Sequence, residues 1–201
     1  MIAPGMQAPA IATFRQALGQ LIGFAPDEWQ VLEEGCFVRH YCKKDLLVQP
    51  GRVCDETFFV VRGLIRVLVT DTAGSEHTVH FALENQFIAE YSSFLQRVPA
   101  HYTLQALEDT EVVVMPRPVV EWGYRHLQEG QKLGRLIAEF YFLYLDNRIK
   151  NLYVKTPLER YEGLSKIFPG IHNRVPQHML ASYLGITPVH LSRLKKEAAG
   201  H

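Results

Sequence analysis

Between Cys36 and Met115 the sequence changes rhythm. Short runs rich in β-branched and aromatic residues occupy 37–41, 45–49, 57–62, 64–70, 77–82, 102–106 and 111–115. Such runs read as strands. Pro50-Gly51, Arg62-Gly63 and Ala73-Gly74 punctuate them as turns. Many short strands at this spacing predict an antiparallel roll or barrel.

Helical periodicity brackets the strands. Ile11, Phe14, Leu18, Leu21 and Ile22 form one stripe. Ala25-Pro26-Asp27-Glu28 opens a second short helix, with proline in the first turn and acids at its positive end, and Gly35 stops it. Residues 116–126 read as a further helix, and 131–153 as the longest one. There Leu133, Leu136, Ile137, Phe140, Tyr141, Leu143, Tyr144, Ile149, Leu152 and Tyr153 make an apolar surface too broad to be covered from one side. One side can lie on the strands, and a symmetric copy of the chain can cover the other; burial within a single chain is the alternative. Lys155-Thr156-Pro157 then breaks the helix. It reads as a hinge, with Thr156 capping a helix over 157–168 that Pro169-Gly170 ends.

The last stretch, 175–196, reads as two short helices around Gly185. Met179, Leu180, Tyr183 and Leu184 share a face of the first, and Ala181 is small where a second helix can cross. Gly185 permits the left-handed backbone that ends a helix. Thr187 can cap the next helix, and Pro188 suits its first position. Leu191 and Leu194 point one way, which leaves Val189, His190, Ser192, Arg193 and Lys196 for the remaining surface. This is the layout of a helix-turn-helix, and a hairpin that merely caps a core has the same outline. Charge bears on the choice. The 201-residue chain is neutral overall, yet from Asn147 onward nine Lys/Arg face three Asp/Glu, a net of +6, and the preceding residues carry −6. A basic final quarter suits a protein that meets nucleic acid with one end.

The run Leu180-Ala181-x-x-Leu184-Gly185-Ile186-Thr187-Pro188-x-x-Leu191-Ser192-Arg193 resembles the DNA-binding end of the CRP/FNR family of bacterial transcription regulators. The strand region, with Phe58-Phe59-Val60-Val61-Arg62-Gly63-Leu64-Ile65-Arg66-Val67, resembles that family's cyclic-nucleotide-binding β-roll. The resemblance implies an α+β chain: residues 1–130 an effector-type β-roll domain with N-terminal helices, 131–154 a dimerisation helix, and 155–201 a helix-turn-helix DNA-binding domain. It implies double-stranded DNA and a second copy of the chain as partners, with RNA polymerase as a further one. The base-reading positions fall on Pro188, Val189 and Arg193, with Arg193 suited to a bidentate guanine contact. Gln177, His178, His190, Ser192, Lys195 and Lys196 are candidates for phosphate contacts, which position rather than specify. Thr187 completes the set as the cap. The chain stops a few residues after Lys196, so a wing after the second helix is expected to be missing or vestigial.

The roll departs from the family. The family's phosphate cassette pairs Gly-Glu with a later Arg-Ser/Thr-Ala. The matching positions here are Ala89-Glu90-Tyr91-Ser92 and Ala100-His101, so the glutamate is kept and the arginine is lost; Arg97 lies three residues away. A guanidinium suits a cyclic phosphate in charge and geometry, and a buried phosphate without one costs several kcal/mol. Tight cAMP or cGMP binding is therefore not expected. Ala89, Glu90, Tyr91, Ser92, Ala100 and His101 remain the candidate pocket for another small effector, and no cofactor is expected.

The remaining chemistry is sparse. Cys36, Cys42 and Cys54 are odd in number and widely spaced. They suit neither a disulfide framework nor the four thiolates of an iron–sulfur cluster, which some CRP/FNR relatives carry, and read as structural. His77-x-x-His80-x-x-x-Glu84 evokes a cupin-type metal set, but a spacing of three sends the two imidazoles to opposite strand faces. Nothing indicates catalysis. No stretch approaches the roughly 18 apolar residues of a membrane span. The first twelve residues lack a signal peptide's basic start. The expectation is a cytoplasmic protein with a loosely held N-terminus. The alternative to DNA binding is a ligand-sensing signalling module whose C-terminal helices dock protein.

Overall fold

A computed structural model describes residues 4–199, with side chains from residue 8 to residue 197. Its elements run α1 (Pro4–Gly19), α2 (Pro26–Gly35), β1 (Phe37–Tyr41), β2 (Leu46–Val48), β3 (Glu56–Arg62), β4 (Ile65–Thr70), β5 (Glu76–Ala82), β6 (Phe87–Ile88), α3 (Tyr91–Gln96), β7 (Thr103–Ala106), β8 (Thr110–Pro116), α4 (Arg117–His126), α5 (Gly130–Val154), α6 (Pro157–Ile167), α7 (Ile171–Arg174), α8 (Gln177–Leu184) and α9 (Pro188–Ala199). Among the described residues the strands form two four-stranded sheets, ordered β1-β8-β3-β6 and β2-β7-β4-β5. β1 and β3 both pair antiparallel with β8, Phe58 lying opposite Val114.

The chain divides into two compact units. One comprises the chain up to Val67 together with Phe81–Ala138; the other comprises Leu68–His80 together with the chain from Glu139 onward. The division falls inside α5, so the second unit gathers the tip of the β4–β5 hairpin with the C-terminal helices.

In the first unit, α1 lays Ala10, Ile11, Phe14 and Leu18 on the β1-β8-β3 face, and the core continues through Trp29, Leu32, Val38, Phe59 and Val113. Phe14 is its aromatic centre, 5.5 Å from Phe59 and 5.9 Å from Trp29 between ring centroids. Packing of α1 is thus seen from Ala10 onward, and the loose start that the sequence predicts for the first residues falls largely outside the described side chains. Glu28 fixes the start of α2 by accepting from Ala25 N at 2.7 Å, and its other oxygen accepts from Gln128 N at 2.6 Å.

Three elements have no counterpart in the sequence reading. β6 has two residues, too few to display a period. α3 and α7 have six and four residues, and each is defined by its ends: Glu90 caps α3 and left-handed Gly170 precedes α7.

In the second unit, Thr156 and Glu159 form a capping box at the start of α6. Glu159 N donates to Thr156 Oγ1 at 3.3 Å, and Thr156 N donates to the Glu159 carboxylate at 2.7 Å. The core is Leu164, Phe168, Ile171, Leu180, Ala181, Leu184, Leu191 and Leu194. Gly163 lies inside α6, and a Cβ there would meet nothing within 4 Å. Gly163→Ala is therefore expected to stabilise the protein by about 0.5–1 kcal/mol through helix propensity. Urea denaturation checks this; a lower midpoint would show that the glycine answers a packing constraint.

Candidate nucleic-acid interface and roll pocket

The α8–α9 hairpin is built by local chemistry. Gly185 sits at φ 70°, where glycine pays no Cβ penalty. Its N–H reaches Ser182 O at 3.1 Å and Ile186 N reaches Ala181 O at 3.0 Å, a Schellman turn that satisfies the last carbonyls of α8. Two residues on, Thr187 Oγ1 accepts from His190 N at 3.2 Å and starts α9. Leu191 and Leu194 are buried, and Tyr183, Leu184, Leu180 and Ala181 form the matching face of α8. Met179, expected on that face, is only half-buried.

Opposite Leu191 and Leu194, a stripe of α9 faces outward: Pro188, Val189, Ser192, Arg193 and Lys196, with Thr187 and His190 also exposed. Val189 is 64% exposed. Gln177 and His178, in the first turn of α8, are exposed as well. Lys195 differs: it is half-buried, and the pKa of His172 is lowered chiefly by that histidine's own partial burial and then by the Lys195 charge. Among the described residues, Arg193 makes no hydrogen bond or ion pair. Three of the other basic residues of this quarter are spent on structure. Lys150 pairs with Asp146 at 2.5 Å, and Arg148 lies 4.0 Å over the Tyr183 ring. Arg160 donates to the carbonyls of Leu152 and Lys155.

In the roll, the cassette residues are dispersed in role. Glu90 is buried and its carboxylate caps α3 by accepting from Ser93 N. Ser93 Oγ in turn donates to Val98 O at 2.6 Å and accepts from Cys54 N at 2.9 Å. Arg97 ends α3 in a left-handed conformation, and its guanidinium pairs with Glu121 at 2.8 Å. Ala89 and Tyr91 are half-buried, Ser92 and His101 exposed, and Ala100 is 2% exposed. Tyr91 bonds to Tyr124, whose hydroxyl is pushed well above its ordinary pKa, chiefly by burial. The sequence reading overlooked Arg66, a cation on β4 with only 2% exposure; within a strand, alternation alone does not reveal a buried arginine.

The histidines and cysteines have separate surroundings. His77 Nε2 lies 2.7 Å from Asp71, and Glu84 accepts from Gly63 N at 3.0 Å. Among the described residues no group of three or more His, Cys, Asp or Glu side chains is placed to hold a metal. Burial pushes the Cys36 thiol up to about 12 and raises that of Cys54. The His80 ring packs 4.4 Å from Tyr144 and 5.8 Å from Phe168, and its Nδ1 is buried with no partner among the described residues. Burial, helped by nearby Arg148, pushes its pKa down from 6.5 to about 3. Below pH 6.5 the unfolded chain therefore binds a proton that the folded one refuses. His80 is expected to lower stability as the pH falls through 6.5 towards 3, by at most about 1.4 kcal/mol per pH unit. Melting curves at pH 7.5 and pH 5 compared with His80→Phe check this; equal acid sensitivity in the two proteins would exclude it.

Residues 38–125 match the cyclic nucleotide-binding domain. No curated protein matches the sequence. Among solved structures, FixK2 from Bradyrhizobium japonicum is 19% identical with a TM-score of 0.65, over 82% of this chain and 85% of that one. CLP from Xanthomonas campestris, a c-di-GMP-responsive global regulator, is 15% identical with a TM-score of 0.65, over 88% and 92%. A protein from Eubacterium rectale, described as a candidate transcriptional regulator of the crp/fnr family, is 14% identical with a TM-score of 0.69, over 86% and 82%. Among the described residues no helix is long and apolar enough to cross a membrane. Residues 38–125 thus match the cyclic nucleotide-binding domain, and the chain shares the fold of these solved structures, one of them described as a crp/fnr family regulator.

Proposed function

We propose that the protein is a homodimeric, sequence-specific DNA-binding transcription regulator that acts with RNA polymerase and does not take cAMP as its signal. The observation that carries this is the outward stripe of α9, headed by Thr187 and containing Arg193, which has no partner among the described residues, on a helix whose opposite side is anchored by Leu191 and Leu194. A capped helix with a free polar N-terminal half fits a major groove. Gln177, His178, His190, Ser192, Lys195 and Lys196 flank it as phosphate contacts.

A second copy is supported by α5. Phe140, Phe142, Leu143, Leu145, Ile149 and Tyr153 stand exposed along it, Phe142 at 69% and Tyr153 at 88%. So much apolar surface on one helix calls for a partner, and a twofold-related copy supplies the same surface in return. Two α9 helices would then meet half-sites roughly 34 Å apart, one turn of DNA.

Selection of bound duplexes from a random pool is the test. Palindromic sites with half-sites one helical turn apart, bound with an affinity that falls steeply with salt, are the expected result. Failure to enrich any sequence at low salt would favour a helical surface that docks protein.

The effector is a separate matter. Ala100 replaces the phosphate-binding arginine, Arg97 is held by Glu121, and Glu90 is occupied at the start of α3. Arg66, at 2% exposure, offers no accessible charge to an incoming phosphate. Calorimetry with cAMP and with cGMP is expected to give no binding heat up to about 1 mM, since the missing ion pair costs several kcal/mol. A micromolar dissociation constant for either would overturn this. Ala89, Glu90, Tyr91, Ser92, Ala100 and His101 remain the candidate effector region of the roll.

A further inference from the structure

The outward stripe of α9 contains a residue that neither packing nor helix formation explains. Val189 stands in the first turn, 64% exposed, while Leu191 and Leu194 make the buried contacts on the other side of the helix. A β-branched side chain loses rotamer freedom in a helix and adds nothing to its stability there. A single exposed valine is ordinary on a protein surface; the place of this one is what matters. Arg193, also exposed, follows four residues later. The two side chains therefore share a face, about 6 Å apart along the helix axis.

Around Val189 the start of α9 offers little to a base edge. Pro188 has an apolar side chain and no amide donor. The Thr187 hydroxyl is engaged by His190 N at 3.2 Å, and His190 itself lies roughly 100° round the helix from Val189. In a major groove, a donor or acceptor set against an isopropyl group would lose its water with nothing in exchange, at a cost in affinity. One group displayed in that groove is apolar, the C5-methyl of thymine. Val189 matches that methyl and disfavours the polar edges of the other bases.

We propose that Val189 determines specificity by reading the C5-methyl of a thymine in each half-site, within about two base pairs of the guanine assigned to Arg193. The limit comes from the helix: a separation of about 6 Å spans no more than two base-pair steps of about 3.4 Å. The inference rests on the proposed DNA binding and adds to it the base that the apolar part of the stripe selects.

The test uses the full chain and the palindromic duplex recovered by selection. Each thymine of the half-site, on either strand, is replaced in turn by deoxyuridine in both halves, which removes a methyl and leaves base pairing intact. Equilibrium gel shifts at fixed salt compare the duplexes. At one position the loss is expected to be about fourfold per half-site, the worth of one buried methyl, and about fifteenfold for both halves. Val189→Ala places a better helix former at an exposed site, so it should keep the melting temperature and bind the thymine and deoxyuridine duplexes equally within about twofold. The proposal fails if deoxyuridine at every position binds within about twofold of the parent duplex. It fails equally if the sensitive thymine lies farther than about two base pairs from a guanine that Arg193→Ala ceases to discriminate, or if no such guanine exists. Retention of the full thymine preference by folded Val189→Ala also overturns it. A chain that selects no duplex overturns the DNA-binding reading together with this one; a selected duplex that ignores the methyl overturns this one alone.

Discussion

Arg193→Ala is expected to erase operator preference while leaving residual, salt-sensitive DNA binding. One bidentate arginine–guanine contact discriminates by about 1–3 kcal/mol. The proposed dimer would carry two, so the loss on a full palindrome is about 2–6 kcal/mol, or roughly thirty-fold to twenty-thousand-fold in the specific dissociation constant. Non-specific affinity should change little, because it would rest on the phosphate contacts proposed for Lys196, His178 and Gln177. Arg193 suits this role because it is exposed on α9, has no partner among the described residues, and lies opposite a buried leucine pair that fixes the helix. Competition gel shifts with the selected site and a scrambled one measure it. If Arg193→Ala retains the full preference for the selected site, α9 does not read bases through this residue.

The second large effect is structural. Gly63→Ala is expected to destabilise the roll by about 3–5 kcal/mol, combining strain in an unfavourable backbone region with forced overpacking. Gly63 has φ 109°, and a Cβ there would lie 2.4 Å from Thr110 Oγ1 and 2.7 Å from Thr110 Cα. Thr110 cannot retreat, because it opens β8 and pairs with Tyr41 of β1. Gly74 offers a control: its φ is 84°, but nothing lies within 4 Å of a built Cβ. Gly74→Ala should therefore cost only the backbone penalty of about 1–2 kcal/mol. With total stabilities near 5–15 kcal/mol, the first variant should unfold at a much lower urea concentration and the second at a slightly lower one. Equal midpoints for the two would refute the steric account.

How much of this was legible in the sequence differs from feature to feature. The strands of the roll, the helix over 131–153, the cap at Thr156 and the turn at Gly185 all appear close to where residue pattern puts them. Each depends on neighbours within a few positions: alternation, a 3.6-residue stripe, a hydroxyl three residues before an amide. Interactions across longer separations stayed hidden. Nothing local indicates that Arg148 will lie on Tyr183, or that Thr78 N will donate to Ser182 Oγ at 2.8 Å and tie the β4–β5 tip to α8. Nor does local pattern show that Arg97 will be taken up by Glu121.

The sequence by itself determined the order of the longer elements and the outward helix stripe, because backbone capping and hydrophobic periodicity are short-range and survive in any fold that keeps the segments intact. The tertiary structure alone decided which charges are free. Glu90 is kept in the cassette yet occupied by α3, Arg148, Lys150 and Arg160 are committed to a ring, a carboxylate and carbonyls, and Arg193 is left without a partner among the described residues. That allocation follows from which groups packing brings within hydrogen-bonding distance, and partners tens of residues apart in the chain leave no mark in local pattern.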